Sequence, residues 1–438
     1  MRPITMFAAV AAVGLTLAAS GTAQQPVVER FDRAIRQHGE DLWERGRRIF
    51  RYDTFGDEAF WGGALKLHEA IAGERFGGVG PGVSPPTALS VGLKVDIDAL
   101  PAHAVQAIRR GRVDLGDPGV TLQLLDADAV VGVKGFRGPD GRLASVGIQC
   151  ALCHSDVDDS FAPGVGHRLD GWPNRDLNVG AIIALSPDLS AVADLLGTDQ
   201  ATVRTVLNSW GPGKFDAQLF LDGKAFRPDG RSAATLIPAA FGLAGVNLTT
   251  YTGWGGVSHW NAFVANLEMH GKGTFVDARL NDPLQFPVAA RAGFGNVRND
   301  PDLITSKLPA LQFYQLSIPA PQPSHGSFDP ALAEQGRAVF NGAAGCASCH
   351  VPPLFTEPGW NMHTPEEIGI DDFQASRSPD RRYRTTPLAG LSARQVGGFY
   401  HDGRFANLRA VVEHYNQAFS LNLSEAQKLA LVEYLKSL

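Results

Sequence analysis

The chain has 438 residues, of which 44% are hydrophobic and 19% charged, a composition typical of globular proteins rather than disordered or membrane-embedded ones. Lysine and arginine number 39 against 45 aspartates and glutamates, for a formal net charge of −6. This mild acidity, without any basic block, argues against nucleic acid as the main partner. The length allows two or three domains.

The first 23 residues have the pattern of a secretory signal peptide. Arg2 provides a basic start, an apolar stretch covers residues 6–19, and small residues up to Ala23 form a cleavage site. The apolar stretch is shorter than the roughly 20 residues that a membrane-spanning helix needs. We therefore predict a cleaved signal peptide over residues 1–23 and a periplasmic protein that does not span the membrane.

The next segments predict short helices. Residues 27–50 carry hydrophobic residues at a loosely helical spacing, which predicts one or two amphipathic helices. Residues 51–140 contain no chemical motif, and within them the segments 101–112 and 120–131 are typical of short helices.

A proline-rich stretch from Ser317 to Gly326 predicts an extended connector between two domains. The last helix begins with Ser424 and Gln427 at the spacing of a capping box. The predicted organisation is a signal peptide followed by three segments: a first half over residues 24–316 with an insertion at 51–140, a linker over 317–327, and a second half over 328–438.

Two short echoes indicate that the halves are related. Gly46-Arg-Arg-Ile-Phe50 resembles Gly336-Arg-Ala-Val-Phe340. Pro238 and Tyr251 have the same spacing as a second such pair, Pro387 and Tyr400. Because both echoes occur in the same order relative to a cysteine motif, they favour duplication of one unit.

All four cysteines belong to two identical patterns, a first motif Cys150-Ala-Leu-Cys153-His154 and a second motif Cys346-Ala-Ser-Cys349-His350. Two thiols one helical turn apart can form thioethers with both vinyl groups of a haem, and the adjacent histidine then points its imidazole at the iron. The motifs predict two covalent c-type haems with His154 and His350 as proximal iron ligands.

Two other readings of the cysteine motifs are weaker. A thioredoxin-like redox pair needs a βαβ context, and a zinc site needs four ligands brought together from both motifs. Neither explains the adjacent histidine in both copies.

The sixth iron position decides between an electron carrier, which has an axial side chain there, and a catalyst, which leaves it open. Few methionines are available for ligation, and Met362 follows His350 too closely to be favoured. His167 lies soon after the first motif in a glycine-rich loop. It is either a reversible ligand of the first iron or an ordinary surface histidine.

The second half resembles the C-terminal haem domain of bacterial dihaem cytochrome c peroxidases and MauG-type enzymes. The resemblance rests on Thr385-Thr-Pro-Leu-Ala-Gly-Leu391, on Gly398-Phe-Tyr-His-Asp-Gly-Arg-Phe405 and on the segment from Leu408 to Asn416. It is specific from about Gly336 to the end and covers the first half only in outline. It implies a mainly α-helical fold of two cytochrome c-like haem domains.

The resemblance also implies roles for particular residues. The distal ligand of the second haem falls on Tyr415, the MauG-like choice, with His401, His414 and Met362 as competitors. The first haem is then the site of peroxide or dioxygen chemistry, and a tryptophan between the haems helps to carry electrons. A calcium ion held by backbone carbonyls is common in such proteins.

The first half departs from the family pattern, because the distal glutamine and glutamate do not map cleanly. The residues proposed for the reactive site are a possible electron relay, Trp254, and candidate acid–base groups, His259, Asn261, Glu268 and His270. Each of them, taken alone, is more often structural.

The sequence therefore predicts a periplasmic dihaem oxidoreductase that receives electrons from, or passes them to, a small periplasmic redox protein and uses hydrogen peroxide or dioxygen. The alternatives are an electron-transfer protein without catalysis and a MauG-like enzyme that oxidises a protein or organic substrate. High-spin ferric iron would distinguish the enzyme from a carrier with two low-spin irons.

Overall fold

The structure is a computed structural model that describes residues 7–438, with side chains described from residue 28 onward. Helices contain 44% of the residues and strands 9%, so the predicted mainly α-helical class is confirmed. The predicted signal peptide, residues 1–23, lies outside the described side chains. Within the described part of the chain, no helix has both the length and the hydrophobicity needed to cross a membrane.

Seventeen α-helices are described, connected by short 3₁₀ and π segments. They are α1 Phe7–Tyr52, α2 Leu67–Ala72, α3 Pro85–Ser90, α4 Ala102–Arg109, α5 Pro118–Asp126, α6 Ala151–His154, α7 Val179–Ala184, α8 Ser190–Leu196, α9 Gln200–Asn208, α10 Leu219–Asp222, α11 Val257–Phe263, α12 Pro287–Ala292, α13 Leu308–Ser317, α14 Pro330–Asn341, α15 Phe373–Ser376, α16 Leu408–Ala418 and α17 Glu425–Lys436.

The described strands form five two-stranded sheets. They are β1 Val95–Asp96, β2 Val133–Arg137, β3 Leu143–Ile148, β4 Ser155–Val157, β5 Val165–Gly166, β6 Arg168–Asp170, β7 Lys214–Phe215, β8 Thr235–Leu236, β9 Thr274–Val276 and β10 Asn296–Arg298. Strands β1 and β5 pair in parallel, and the pairs β2–β3, β4–β6, β7–β8 and β9–β10 are antiparallel. None of these ribbons builds a larger sheet, so the helices define the fold.

The first half is built around the crossing of α1 and α13. At the crossing, no side chain would fit at the position of Gly46, because a Cβ there would lie only 2.0 Å from the carbonyl oxygen of Ala310. One turn further along α1, the buried Phe50 packs on Tyr314 with ring centroids 5.6 Å apart. Close approach of two backbones requires glycine at such a point.

The second half repeats this crossing with α14 and α17. A Cβ on Gly336 would lie 2.0 Å from the carbonyl oxygen of Ala430. Phe340 packs on Tyr434 with ring centroids 5.1 Å apart. The echo between the two glycine-to-phenylalanine segments therefore corresponds to one helix-pair arrangement that occurs twice.

The region 51–140 packs as part of the first half. Its helices α2, α3 and α5 contribute to the largest hydrophobic cluster together with α6, α7 and α9. The hairpin of β2 and β3 leads directly into the first motif, and Gly132 touches the backbone of Leu152 so closely that a Cβ would lie 2.1 Å from it. The predicted helices over 101–112 and 120–131 correspond to α4 and α5.

Two details at the second half agree with the sequence. No helix or strand is described between Ser317 and Pro330, as the proline-rich stretch predicts. The capping box at Ser424 and Gln427 is present at the start of α17. The domain limits at 316 and 328 stay predictions.

A fully buried ion-pair cluster joins the two halves. The guanidinium of Arg377 lies 3.0 Å from a carboxylate oxygen of Asp216 and 2.8 Å from one of Asp222. Both acids belong to the first half and Arg377 to the second. Breaking such a buried cluster leaves uncompensated charges, so it holds the halves in one relative position.

Candidate haem sites

The first motif lies on the single turn α6, at the end of the β2–β3 hairpin. The Nδ1 atom of His154 is 3.1 Å from the carbonyl oxygen of Pro238. A carbonyl can only accept a hydrogen bond, so Nδ1 carries the proton and Nε2 keeps its lone pair. Burial lowers the pKa of His154 to about 4, which keeps the imidazole neutral, as a metal ligand requires.

The second motif forms a tight 3₁₀ turn over Cys346–Ser348. The Nδ1 atom of His350 is 2.9 Å from the carbonyl oxygen of Phe355, so this imidazole also keeps the lone pair on Nε2. Burial lowers the pKa of His350. A metal-binding histidine usually donates its other ring N–H to a backbone carbonyl, which fixes the tautomer. Both histidines therefore have a free Nε2 that can bind iron.

The four cysteines are free thiols. Burial raises the pKa of Cys150 and Cys153 to about 12 and that of Cys346 to about 11. A thioredoxin-like nucleophile or a zinc-binding thiolate needs a lowered pKa. The surroundings of the thiols therefore disfavour a thioredoxin-like redox pair.

A cavity of about 480 Å³ lies beside the second motif. It is lined by Cys346, Cys349 and His350, and its other walls are largely apolar, with Phe340, Leu388, Leu391, Val411, Leu431 and Leu435 among them. Residues of the first half, including Pro238 and Tyr251, complete the wall. A concave, mostly apolar site with a few polar groups fits a haem, so these residues are compatible with the group that the motif implies.

Tyr415 on α16 lines this cavity together with Tyr400 and His401. Burial raises the pKa of Tyr415, and charges on Cys346 and Cys349 would act in the same direction. The phenol therefore lines the same cavity as both thiols of the second motif and would be available to a haem held there.

The competing ligands are placed less favourably, with one exception. His414 is outside the cavity wall, and its Nε2 is 3.4 Å from the carbonyl oxygen of Ile368. Met362 packs near Gly253 and is not among the residues that line the cavity. His401 lines the cavity, stacks on Tyr383 at 5.4 Å, and has a buried Nε2 without a hydrogen-bond partner. His401 is thus the remaining competitor of Tyr415.

Glu268 is the acid–base candidate that approaches the first motif. It ends a π-helical segment, Val264–Glu268, and is 7% exposed with neither carboxyl oxygen in a hydrogen bond. Burial raises its pKa well above the ordinary value, and the charge of Asp216 adds to this effect. The charge of Glu268 in turn contributes to the raised pKa of Cys153 in the first motif.

The other candidates for the reactive site lie elsewhere. Trp254 and His259 pack against each other at 5.3 Å in a buried aromatic cluster, and His259 is 3.8 Å from Asp277. Asn261 donates a hydrogen bond to Gln315 at 2.6 Å. These contacts give the three residues structural roles, and no contact of theirs with the first motif is described.

His167 also has another partner. Its side chain is 56% exposed, and Nδ1 lies 2.9 Å from a carboxylate oxygen of Asp98. The ion pair raises the pKa of His167, which favours the protonated form and not a metal-binding imidazole. The geometry does not support the prediction that His167 ligates the first iron.

Another group of potential ligands lies beside the second motif. Ligand atoms of Cys349, Glu357 and His363 lie within 4.8 Å of one another. A Cys349 sulfur bonded to haem would not be available as a thiolate, so we assign no separate metal site to them. The predicted calcium ion stays a prediction.

Sequence reasoning missed the two carbonyl partners of the histidines. In the sequence, Pro238 is distinguished only by the spacing that it shares with Pro387, and it proves to be the residue whose carbonyl contacts His154. Phe355 carries no distinguishing pattern, because any residue can offer a backbone carbonyl.

No family model matches the chain. A curated relative, the methylamine utilization protein MauG of Methylorubrum extorquens, is 29% identical over 122 residues, which are 25% of this chain and 35% of that protein. The chain therefore aligns with about a third of the length of that relative.

Two solved structures are similar over part of the chain. A MauG-like protein associated with microbial copper homeostasis covers 51% of this chain and 81% of its own at 16% identity and a TM-score of 0.32. Hydrazine synthase of Kuenenia stuttgartiensis covers 50% of this chain and 85% of its own at 13% identity and a TM-score of 0.29. Scores this low carry no conclusion about fold or function.

Proposed function

We propose that this chain, which is related to the MauG and cytochrome c peroxidase-like superfamily, is a periplasmic dihaem c-type oxidoreductase. Peroxide or dioxygen would react at the first motif, and electrons would pass through the second. The observation that carries the proposal is an asymmetry between two similar motifs. A buried carboxyl group without a hydrogen-bond partner, Glu268, acts electrostatically on Cys153 of the first motif, and a buried phenol, Tyr415, lines the cavity beside the second.

The chain's own residues would hold and orient the cofactors. The cysteine pairs would attach each haem through thioethers, and the Nδ1 hydrogen bonds of His154 and His350 would keep each Nε2 directed at the metal. Bound haem would supply the electron chemistry with peroxide or dioxygen.

Glu268 would move protons at the first site. Reduction of one peroxide molecule to two waters consumes two electrons and two protons. A carboxyl group that keeps its proton at neutral pH can donate it to the leaving peroxide oxygen and take it back from the other oxygen. Glu268 is only 7% exposed, which limits its contact with competing water.

The electrons would come one at a time from a small periplasmic redox protein. The second half offers the route, because the wall of its cavity includes residues of the first half such as Pro238, the carbonyl partner of His154. Pro238 thus links the two sites, because it contacts His154 of the first motif and lines the cavity beside the second.

A second candidate is MauG-like oxidation of a protein or organic substrate. Tyr415 on the cavity wall favours it, because an anionic phenolate ligand stabilises ferric and higher oxidation states. A plain electron carrier is less well supported, since His167 faces solvent and pairs with Asp98.

The test combines haem analysis with an activity assay of the mature protein. We expect two covalent haems per chain by mass and by the pyridine haemochrome spectrum, one high-spin ferric signal, and peroxide turnover with a reduced small cytochrome. One haem or none would refute the dihaem assignment. Two low-spin irons in every redox state, without turnover, would establish the electron carrier instead.

A further inference from the structure

Three arginine side chains line the wall of the cavity beside the second motif. Arg175 comes from the first half, and Arg384 and Arg394 come from the second. Arg175 is 7% exposed. The other two keep some accessible surface because they line the cavity, but each also has a nitrogen atom that is completely buried.

The arginines of the second half bond only to neutral backbone groups. Arg394 donates from Nη1 to the carbonyl oxygen of Pro387 at 2.7 Å and from Nη2 to that of Ala389 at 3.0 Å. Arg384 donates from Nε to the carbonyl oxygen of Thr250. Their donors are therefore only partly satisfied, and their charges are not compensated.

Arg175 is in the same situation. Its Nη1 lies 3.3 Å from the carbonyl oxygen of Val396, which is a weak contact. Buried nitrogens without any acceptor remain on all three side chains: Nε of Arg175, Nη1 of Arg384 and Nε of Arg394. Buried donors without an acceptor are rare in folded proteins and call for a partner.

No carboxylate among the described residues forms an ion pair with any of the three, and the chain has no acidic residue before Glu29. Burial lowers the pKa of Arg384 to about 9 and that of Arg394 to about 10, and repulsion between neighbouring arginines adds to both effects. Several buried like charges without a counter-ion are unfavourable. An anion in the cavity would remove this cost.

We propose that Arg175, Arg384 and Arg394 bind the two propionate carboxylates of the haem at the second motif. This inference rests on the proposed haem at that motif. Guanidinium groups pair with carboxylates through two parallel hydrogen bonds, and haem presents two carboxylates on one edge. The haem of the second half is thereby held in part by a residue of the first half, Arg175.

The charges also affect the electron chemistry of that haem. Positive charge near the iron favours the reduced state, which has one positive charge fewer, and so raises the reduction potential. The arginines thus oppose the decrease in reduction potential that an anionic Tyr415 ligand would cause. Because Arg175 belongs to the first half, the first half contributes to the reduction potential of the haem at the second motif.

The test measures both haem potentials in Arg175→Gln, Arg384→Gln and Arg394→Gln by spectroelectrochemical titration of the full-length mature protein. We expect the potential of one haem to fall in each variant and that of the other to stay constant. His350→Met identifies the titration step of the second haem, because it changes that iron's own proximal ligand. The matched control is Arg382→Gln, at a side chain that is 44% exposed and lies two residues from Arg384.

Substitution by lysine separates charge from packing. Arg394→Lys should keep a potential close to that of the unmodified protein, because it keeps the charge. Unchanged potentials in all three glutamine variants, with full haem content, would overturn the proposal. If a glutamine variant fails to retain the second haem, loading of that haem in the lysine variant supports the proposal and its loss there overturns it. Haem counting on the unmodified protein tests the proposed function separately, since a missing second haem would be detected before any substitution.

Discussion

Glu268 lies in a buried environment without hydrogen-bond partners, which sets its acidity apart from that of an exposed glutamate. It is 7% exposed, neither of its carboxyl oxygens has a hydrogen-bond partner, and burial raises its pKa well above the ordinary value. A carboxyl group whose pKa is raised by burial keeps its proton to a higher pH than an exposed glutamate, as a general acid requires. It is the last residue of the π-helical segment Val264–Glu268, in which Ala265, Asn266 and Leu267 are also buried.

We expect Glu268→Gln to slow the reaction of the protein with peroxide by roughly 10²- to 10⁴-fold, the usual contribution of a general acid–base group. Glutamine has the shape of the protonated carboxyl, so haem content and fold should not change. Stopped-flow spectroscopy of the purified protein measures the rate.

The matched variants of the Glu268 experiment are His259→Gln and Asn261→Ala. Both residues have structural partners of their own, so these variants should react at nearly the unmodified rate. A slow His259→Gln together with a fast Glu268→Gln would show that the acid has been assigned to the wrong residue.

Tyr415→Phe removes a single oxygen atom from the wall of the second cavity. We expect it to change the ferric absorption spectrum of one haem and to raise the potential of that haem, because an anionic donor is lost. Ultraviolet–visible spectra and redox titration measure both effects. Tyr434→Phe is the matched control, since Tyr434 packs on Phe340 with ring centroids 5.1 Å apart and is not among the residues that line the cavity. A silent Tyr415→Phe combined with a changed spectrum in His401→Ala would make His401 the ligand.

The repeated helix crossing is the main structural element of both halves. In each half a glycine lies against the carbonyl of an alanine, and a phenylalanine one turn later packs on a tyrosine four residues after that alanine. The glycine and phenylalanine positions were visible as a sequence echo. Their alanine and tyrosine partners lie on helices separated from them by about 90 residues in the second half and far more in the first, so no local pattern linked them.

Two glycines of α1 test this crossing. We expect Gly46→Ala to destabilise the protein by about 1–3 kcal/mol or more, because the new Cβ would lie 2.0 Å from the carbonyl oxygen of Ala310 and the helices must move apart. Gly39→Ala on the same helix should instead be neutral or stabilising by up to about 1 kcal/mol, since its Cβ would meet only Phe313 at 3.7 Å and alanine favours helix. Chemical denaturation measures both. Equal stabilities of the two variants would contradict the close packing of α1 on α13.

At the scale of the whole molecule, the two halves share charged and polar groups across their contact. Arg377 is fully buried against Asp216 and Asp222, and the cavity beside the second motif takes part of its wall from the first half. A haem at the second motif would therefore be built into the contact between halves, and electrons passing from one motif to the other would not have to cross solvent.

Buried acids give the folding free energy an unusual pH dependence. Asp57 is fully buried and accepts the backbone N–H of Ile148 at 3.2 Å, and burial raises its pKa to about 10. The unfolded chain loses this proton near pH 4 and the folded chain keeps it until about pH 10, so folding takes up a proton in between. The stability that Asp57 contributes is complete below pH 4 and decreases as the pH rises, by at most about 1.4 kcal/mol per pH unit.

We expect Asp57→Asn to remove part of the loss of stability between pH 5 and pH 9, because an amide does not titrate. Thermal unfolding of both proteins across this range measures the effect. Asp140→Asn, at a side chain that is 63% exposed, should leave the pH profile as it is. A parallel profile for Asp57→Asn and the unmodified protein would show that Asp57 is already ionised in the folded state.

The sequence alone determined what depends on neighbours along the chain. The two cysteine motifs identify their chemistry because both thiols and the histidine fall within five residues. The capping box of α17 and the helices α4 and α5 could be predicted because caps and periodicity act over one or a few turns.

Only the tertiary structure decided which distant residues meet. It buried Glu268 without a hydrogen-bond partner, gave His259 and Asn261 partners of their own, and paired His167 with Asp98 on the surface. It also brought three arginines without acidic partners to one cavity wall. Such contacts depend on the packing of helices that are far apart in the chain. They also depend on backbone carbonyls, which every residue has, so no local sequence pattern predicts them.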